Sequence, residues 1–99
     1  AILPISEKYN DSCKNLLNSL NNYDIRGFVD DRNEKIGRKI RDAEVKKVPY
    51  MLIIGEKEVE SGALAVRRHG KGDIGEFTEK EFAELVNKEV EKDLNNNNN

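Results

Sequence analysis

The chain has no tryptophan, one cysteine, one histidine, one methionine and two prolines among its 99 residues. Each scarcity removes a class of explanation. One cysteine, Cys13, excludes an internal disulfide. One histidine, His69, and one thiol leave no triad-like spacing for nucleophilic catalysis, and no set of convergent metal ligands appears. No apolar run approaches the ~20 residues of a membrane-spanning helix. The opening Ala1-Ile2-Leu3-Pro4-Ile5 lacks a basic region and is too short for a signal peptide. Neither sign of charge dominates, because the formal net charge is only -2. These absences together lead to the expectation of a cytoplasmic protein with binding, rather than chemistry, as its work.

What is present fits one small domain. The composition is 36% hydrophobic and 36% charged, so nearly every apolar residue is needed for one thin core. The domain is expected over residues 1–94. The asparagine run at 95–99 is low complexity and reads as a tail with no fold of its own. With a first strand beginning at Ala1 and no initiator Met, the ends have the look of an excised piece.

Periodicity gives the elements. Residues 1–6 read as a short buried strand, with Pro4 at its end or at a bulge because it cannot donate a ladder hydrogen bond. Tyr9, Cys13, Leu16, Leu17 and Leu20 recur at helical spacing, and Asn21-Asn22 can close that helix. Residues 25–30 read as a second strand. Asn33 is placed to cap a second helix whose one face carries Ile36, Gly37, Ile40, Ala43 and Glu44. Gly37 in that position predicts close approach of helix to sheet. Residues 48–54 form an apolar run without alternation, the pattern of a strand buried on both faces. Residues 56–62 read as a polar turn, 63–68 as an antiparallel return strand and 74–77 as a further short strand. Thr78-Glu79-Lys80-Glu81 is a capping box with Phe77 and Phe82 as its staple, and Phe82, Leu85, Val86 and Val90 mark the buried stripe of the last helix. The expected fold is α/β: a mixed, mainly parallel sheet of four to five strands with three helices, in the order β-α-β-α-β-β-(β)-α. Right-handed crossovers put the three parallel strands in the order second-first-third, with the return strand outside.

Charge is placed locally. From Asp31 to Arg41 five of eleven residues are basic, and from Arg32 to Lys47 seven basic residues face three acidic ones. From Thr78 to Asp93 the balance reverses to three basic and six acidic. One side can therefore attract a polyanion while the last helix repels it, although two ordinary solvated helices would show the same runs. Lys35 and Lys39 share one flank of the helix that Asn33 can cap, and Glu34, Arg38 and Arg41 lie on another; free N–H groups with nearby cations at its N-terminus suit phosphates or the base edges of an RNA loop. Glu58 can accept from a guanine amino or imino group, or it is simply a polar hairpin residue. Arg67 can stack on a base or pair with Glu56, Glu58 or Glu60. Cys13 reads as a small buried hydrophobe and His69 as a solvated loop residue. Gly70-Lys71-Gly72-Asp73-Ile74-Gly75 matches G-x-G-x-x-G, but it opens no helix and lies late in the chain, so a flexible turn accounts for it better than a dinucleotide site.

Three segments in this order and spacing carry a resemblance: Asp31-Arg32-Asn33-Glu34-Lys35-Ile36-Gly37, Val48-Pro49-Tyr50-Met51, and Gly55-Glu56-Lys57-Glu58-Val59-Glu60-Ser61-Gly62. The sequence resembles the C-terminal anticodon-binding domain of bacterial-type threonyl-tRNA synthetases from Ile2 to about Lys92. The related prolyl, histidyl and glycyl domains share the βαβ plan but are less similar over the Glu-Lys-Glu-Val-Glu-Ser-Gly segment. The resemblance implies that Asn33, Glu58 and Arg67 read the second and third anticodon letters, guanine and uridine, with Lys35 and Arg41 in support. It departs from the family at Ala63 and in the loop from Arg67 to Gly72, which leaves contacts from Arg68, His69 and Lys71 open. It further implies a partner, the anticodon stem-loop of tRNA(Thr), and a homodimeric parent enzyme that joins threonine to tRNA with ATP in a zinc-bearing domain outside this chain. No cofactor and no metal are then expected here. A protein-interaction domain using the acidic last helix, and a small nucleotide-binding enzyme domain using the glycine loop, are the rival readings.

Overall fold

The structure is a computed structural model that describes the backbone of residues 1–97 and the side chains of residues 1–89. Its elements are β1 (Ile2–Pro4), a 3-10 turn (Glu7–Tyr9), α1 (Asn10–Asn21), α2 (Ile36–Val45), β2 (Tyr50–Ile54), α3 (Glu56–Ser61), β3 (Leu64–Arg68), β4 (Gly72–Phe77) and α4 (Glu79–Asn97). The sheet order is β1-β2-β3-β4. β1 and β2 are parallel, while β2–β3 and β3–β4 are antiparallel. The α/β class and the mixed sheet of four strands are as expected.

The parallel majority is not. The expected strand at 25–30 contributes a single bridge, Val29 beside Ile2. The Ile2 N–H donates to the Phe28 carbonyl and the Asp30 N–H to the Ile2 carbonyl, at 2.8 and 2.9 Å. The segment lies on the predicted side of β1, in the predicted direction. It carries Gly27 at its centre, which costs a strand entropy and supplies nothing to pack. The expected turn at 56–62 is the helix α3, so the described residues hold four α-helices rather than three. Glu and Lys are good helix formers, and Gly62 ends the helix in a left-handed conformation, φ 75°, which glycine adopts without penalty.

The sheet separates two packed layers. Tyr50, Leu52 and Ile54 point to one face, where they meet Cys13, Leu16 and Leu20 of α1, Phe82 of α4, and Leu64 and Val66 of β3. Met51 points to the other face, against Leu3 and Ala43, with Ile36, Ile40 and Ile53 alongside. This confirms β2 as a strand buried on both faces. Cys13 is fully buried, and burial pushes its thiol up to about 11, the Lys39 charge opposing that rise. The capping box of α4 forms as expected. Thr78 Oγ1 accepts from the Glu81 N–H and Glu81 Oε1 from the Thr78 N–H, at 3.1 and 2.9 Å. Phe82 is buried and Phe77 packs against the same cluster. The helix runs on through Asn97, three residues into the asparagine run expected to be unfolded. The Val90 side chain, expected in the buried stripe, lies outside the described residues.

Two expectations about α2 fail. Asn33 does not cap it: the helix begins at Ile36, Lys35 is the N-cap, and no side chain caps the end. Nor does Gly37 mark close packing, since a Cβ there would meet no atom within 4 Å. The inward face of α2 is rotated away from Gly37 and carries Ile36, Lys39, Ile40 and Ala43. No described helix of 18 residues or more is apolar enough to cross a membrane.

Candidate nucleic-acid interface

On the face of the sheet that carries Leu3 and Met51, α2 packs over β1 and β2 through Ile36, Ile40 and Ala43. In an antiparallel pair, directly opposed residues share a face. Arg67 is opposite Met51, and Ala65 is opposite Ile53. Across β3–β4, Arg67 faces Asp73 and Ala65 faces Glu76. Arg67 therefore stands on the α2 face, beyond the helix, on a strip of sheet where Asp73 and Glu76 are exposed. Its guanidinium lies over Gly72, where an added Cβ would come within 3.8 Å of Nη2. Its Nε is buried without a hydrogen-bond partner. None of the expected partners Glu56, Glu58 or Glu60 pairs with it, and Lys57 instead takes Glu76 at 2.8 Å. At the far end of the strip His69 approaches Glu44 of α2, 3.5 Å between Nε2 and Oε2. This tethers the β3–β4 turn to the flank of α2 that also carries Gly37 and Arg41.

The other expected residues lie around α2 and α3. Asn33 shares a small, mostly polar depression of about 210 Å³ with Ile5, Ser6, Glu7, Arg32, Glu34 and Lys39. Arg41 is exposed on the outer side of α2, where it lines a shallow surface with Gly37, Arg38 and Asp42. Lys35 is exposed at the N-cap. Glu58 caps α3 from within, Oε1 accepting the Gly55 N–H at 2.8 Å. Gly55 has no side chain to reciprocate, so this is half a capping box. Glu58 also lines a depression on the α1 side with Ser12, Asn15 and Leu16. Asn33, Arg41 and Glu58 thus occupy three separate depressions. Asn33 and Glu58 stand at the edge where β1 and β2 end, and Arg67 lies on the α2 face. No one pocket holds these residues: Glu58 lines the α1-side depression, while Arg67 stands on the α2 face of the sheet.

The sequence reading missed two features. Lys39 is 2% exposed, whereas Lys35, on the same flank by sequence, is exposed. Its spacing of three from Ile36 and four from Ala43 carried the inward signal. Arg32 donates Nε and Nη2 to Asp30, both at 2.8 Å, and Nη2 also to Asp42 at 3.0 Å. The Arg32 hydrogen bonds hold the Asp30 carboxyl below the usual carboxylate range. Arg68, by contrast, pairs with Glu89 of α4 on the opposite face. Among the described residues no group of three or more His, Cys, Asp or Glu side chains is placed to hold a metal.

This arrangement, an α/β sheet with a basic helix edge and an open strip of sheet, defines a small binding module. The family model described as "Anticodon binding domain" matches residues 1–89, and the chain belongs to that family. It is 56% identical over 95 residues to a threonine–tRNA ligase of Bacteroides thetaiotaomicron, covering 96% of this chain and 15% of that protein. Against the threonine–tRNA ligase of Flavobacterium johnsoniae it is 48% identical over 95 residues, again 15% of the relative's length. Among solved structures, the RNA binding domain of threonyl-tRNA synthetase from Cryptosporidium parvum Iowa II superposes with a TM-score of 0.75 at 26% identity. The match covers 88% of this chain and 21% of that one.

Proposed function

We propose that this chain recognises the anticodon stem-loop of tRNA(Thr) for a threonine–tRNA ligase of which it forms the anticodon-binding domain. The observation that carries the reading is its identity to threonine–tRNA ligases along almost its whole length. In this reading Lys35 and Arg41 draw the loop in by charge, and Asn33, Glu58 and Arg67 contact bases. The position of Arg67 on the α2 face, opposite Met51 and beside the exposed Asp73, supports its part. The ligation of threonine, its ATP and zinc, the homodimer and a cytoplasmic location are proposals about the longer protein. This chain binds and does not catalyse, so it supports no threonine-dependent pyrophosphate exchange.

The test separates charge from base reading. Binding isotherms at two salt concentrations are measured with the threonine-accepting stem-loop and with one changed at the middle anticodon base. Lys35→Ala weakens both about equally and flattens the salt dependence, because a point charge acts mainly through counterion release. Arg67→Ala costs roughly 1–3 kcal/mol, mainly on the unchanged loop, the scale of a base contact or stack. Equal losses on both loops for Arg67→Ala remove it from the readers. Equal affinity of the unaltered chain for both loops overturns the anticodon reading itself.

A further inference from the structure

α2 begins against the rules of helix stability. It has no side-chain cap and no acidic residue in its first turn. Lys35, Arg38 and Lys39 instead crowd its positive end, where cations are unfavourable. Lys39 departs furthest. It is almost fully buried, and its ammonium donates one hydrogen bond, to the Pro4 carbonyl at 3.1 Å. An ammonium has three donors, and a buried charge without a carboxylate partner is costly. Among the described residues Lys39 makes no ion pair.

Lys39 forms part of the wall of the depression that holds Asn33. The other polar groups there are the Ser6 hydroxyl, the Arg32 guanidinium, the Asn33 amide and the Glu7 and Glu34 carboxylates. Donors and acceptors are therefore mixed. A phosphate offers acceptors only and would be repelled by two carboxylates. A nucleobase edge that sets a carbonyl beside N–H groups satisfies both kinds of lining group, and unstacked loop bases present such edges.

We propose that this depression receives one unstacked base of the bound RNA, and that Lys39 donates to a carbonyl oxygen of that base from the buried wall. The proposal rests on the RNA-binding reading above. It adds a residue that the family resemblance does not name. Lys39 also holds the end of β1 through Pro4, so the same side chain fixes the wall and contacts the ligand.

The test uses this chain with the threonine-accepting stem-loop. Lys39→Met keeps the length and packing of the side chain and removes the ammonium. Stem-loop affinity is expected to fall at least about tenfold with the native circular dichroism retained. Wild-type affinity in a folded Lys39→Met overturns the proposal. In case that variant does not fold, the unaltered chain is labelled with 13C at the lysine ε-carbons. The Lys39 signal is expected to shift and saturate with added stem-loop. A Lys39 signal unmoved at saturation overturns the proposal while leaving RNA binding intact. The same shift with inorganic phosphate alone overturns the base in favour of a phosphate. No binding of any stem-loop by the unaltered chain overturns both this inference and the reading beneath it.

Discussion

Replacing Glu58 separates two roles of one carboxylate. Residue 55 sits at the N-cap of α3, where Ser or Asp would normally supply a side-chain acceptor. As glycine the position has no acceptor of its own; a Cβ there would lie 2.7 Å from Cδ1 of the exposed Ile5, which would have to swing aside. Glu58 Oε1, 2.8 Å from the Gly55 N–H, supplies the missing cap. α3 is six residues long and contains no buried residue, so little packing compensates for losing it. Glu58→Ala removes the acceptor and a first-turn negative charge, at a cost of about 1–2 kcal/mol. For a domain of this size that lowers Tm by roughly 4–8 °C per kcal/mol. Glu58→Gln keeps an acceptor oxygen and loses only the charge, about 0.3–1 kcal/mol. Thermal melts followed by circular dichroism should rank wild type above Glu58→Gln above Glu58→Ala. Stem-loop binding should fall in both variants, because both lose the charged acceptor. Equal Tm for Glu58→Ala and wild type refutes the cap. Full affinity in Glu58→Gln refutes the base contact while leaving the cap standing.

Two further outcomes follow from shifted groups. Cys13 should label with a thiol reagent far more slowly in the native chain than in denaturant, because it is fully buried and its thiol is pushed up to about 11; equal rates refute its burial. Asp30→Asn should lower stability at neutral pH. The Arg32 hydrogen bonds depress the folded pKa of Asp30, so its contribution is complete above the unfolded value of about 3.9 and is lost as pH falls through the folded one. The wild-type advantage in urea titrations should therefore shrink steadily below about pH 4; an advantage constant with pH refutes the pairing.

How much of this was legible depended on whether a residue's signal was local. The capping box at Thr78 to Glu81 and the buried strand are written in adjacent residues; the box formed as read, and the strand expected over 48–54 forms from Tyr50 to Ile54, after Pro49. The 25–30 segment has the apolar content of a strand, yet whether it pairs for one residue or five depends on β1, which is itself only three residues long. A charged six-residue stretch such as Glu56–Ser61 carries no apolar stripe, so helix and turn look alike until Gly62 is seen to close the helix. For the site, the sequence identified residue types but not their sides. Asn33 looked like a cap because nothing local shows that the helix starts three residues later. Lys39 carries the charge of a surface residue, yet its spacing of three from Ile36 and four from Ala43 places it on the buried stripe.

The ion pairs explain how a chain with net charge -2 can present a basic face. On the α1–α4 side of the sheet Arg68 is taken by Glu89, and Glu79 accepts from Ser19 at 2.6 Å. At the entrance to α2, Arg32 is occupied by Asp30 and Asp42. Lys35, Arg38, Lys39, Arg41 and Arg67 form no ion pair among the described residues. Exposed ion pairs contribute only about 0–1 kcal/mol each, so leaving these cations unpaired costs the fold little where they are solvated. An arriving polyanion then meets charges that need no partner displaced, and the counterions it releases add directly to binding. Arg32 is committed to the fold, and in the proposed reading its unpaired neighbours are left for the RNA, a division that the basic run from Asp31 to Arg41 does not reveal by composition alone.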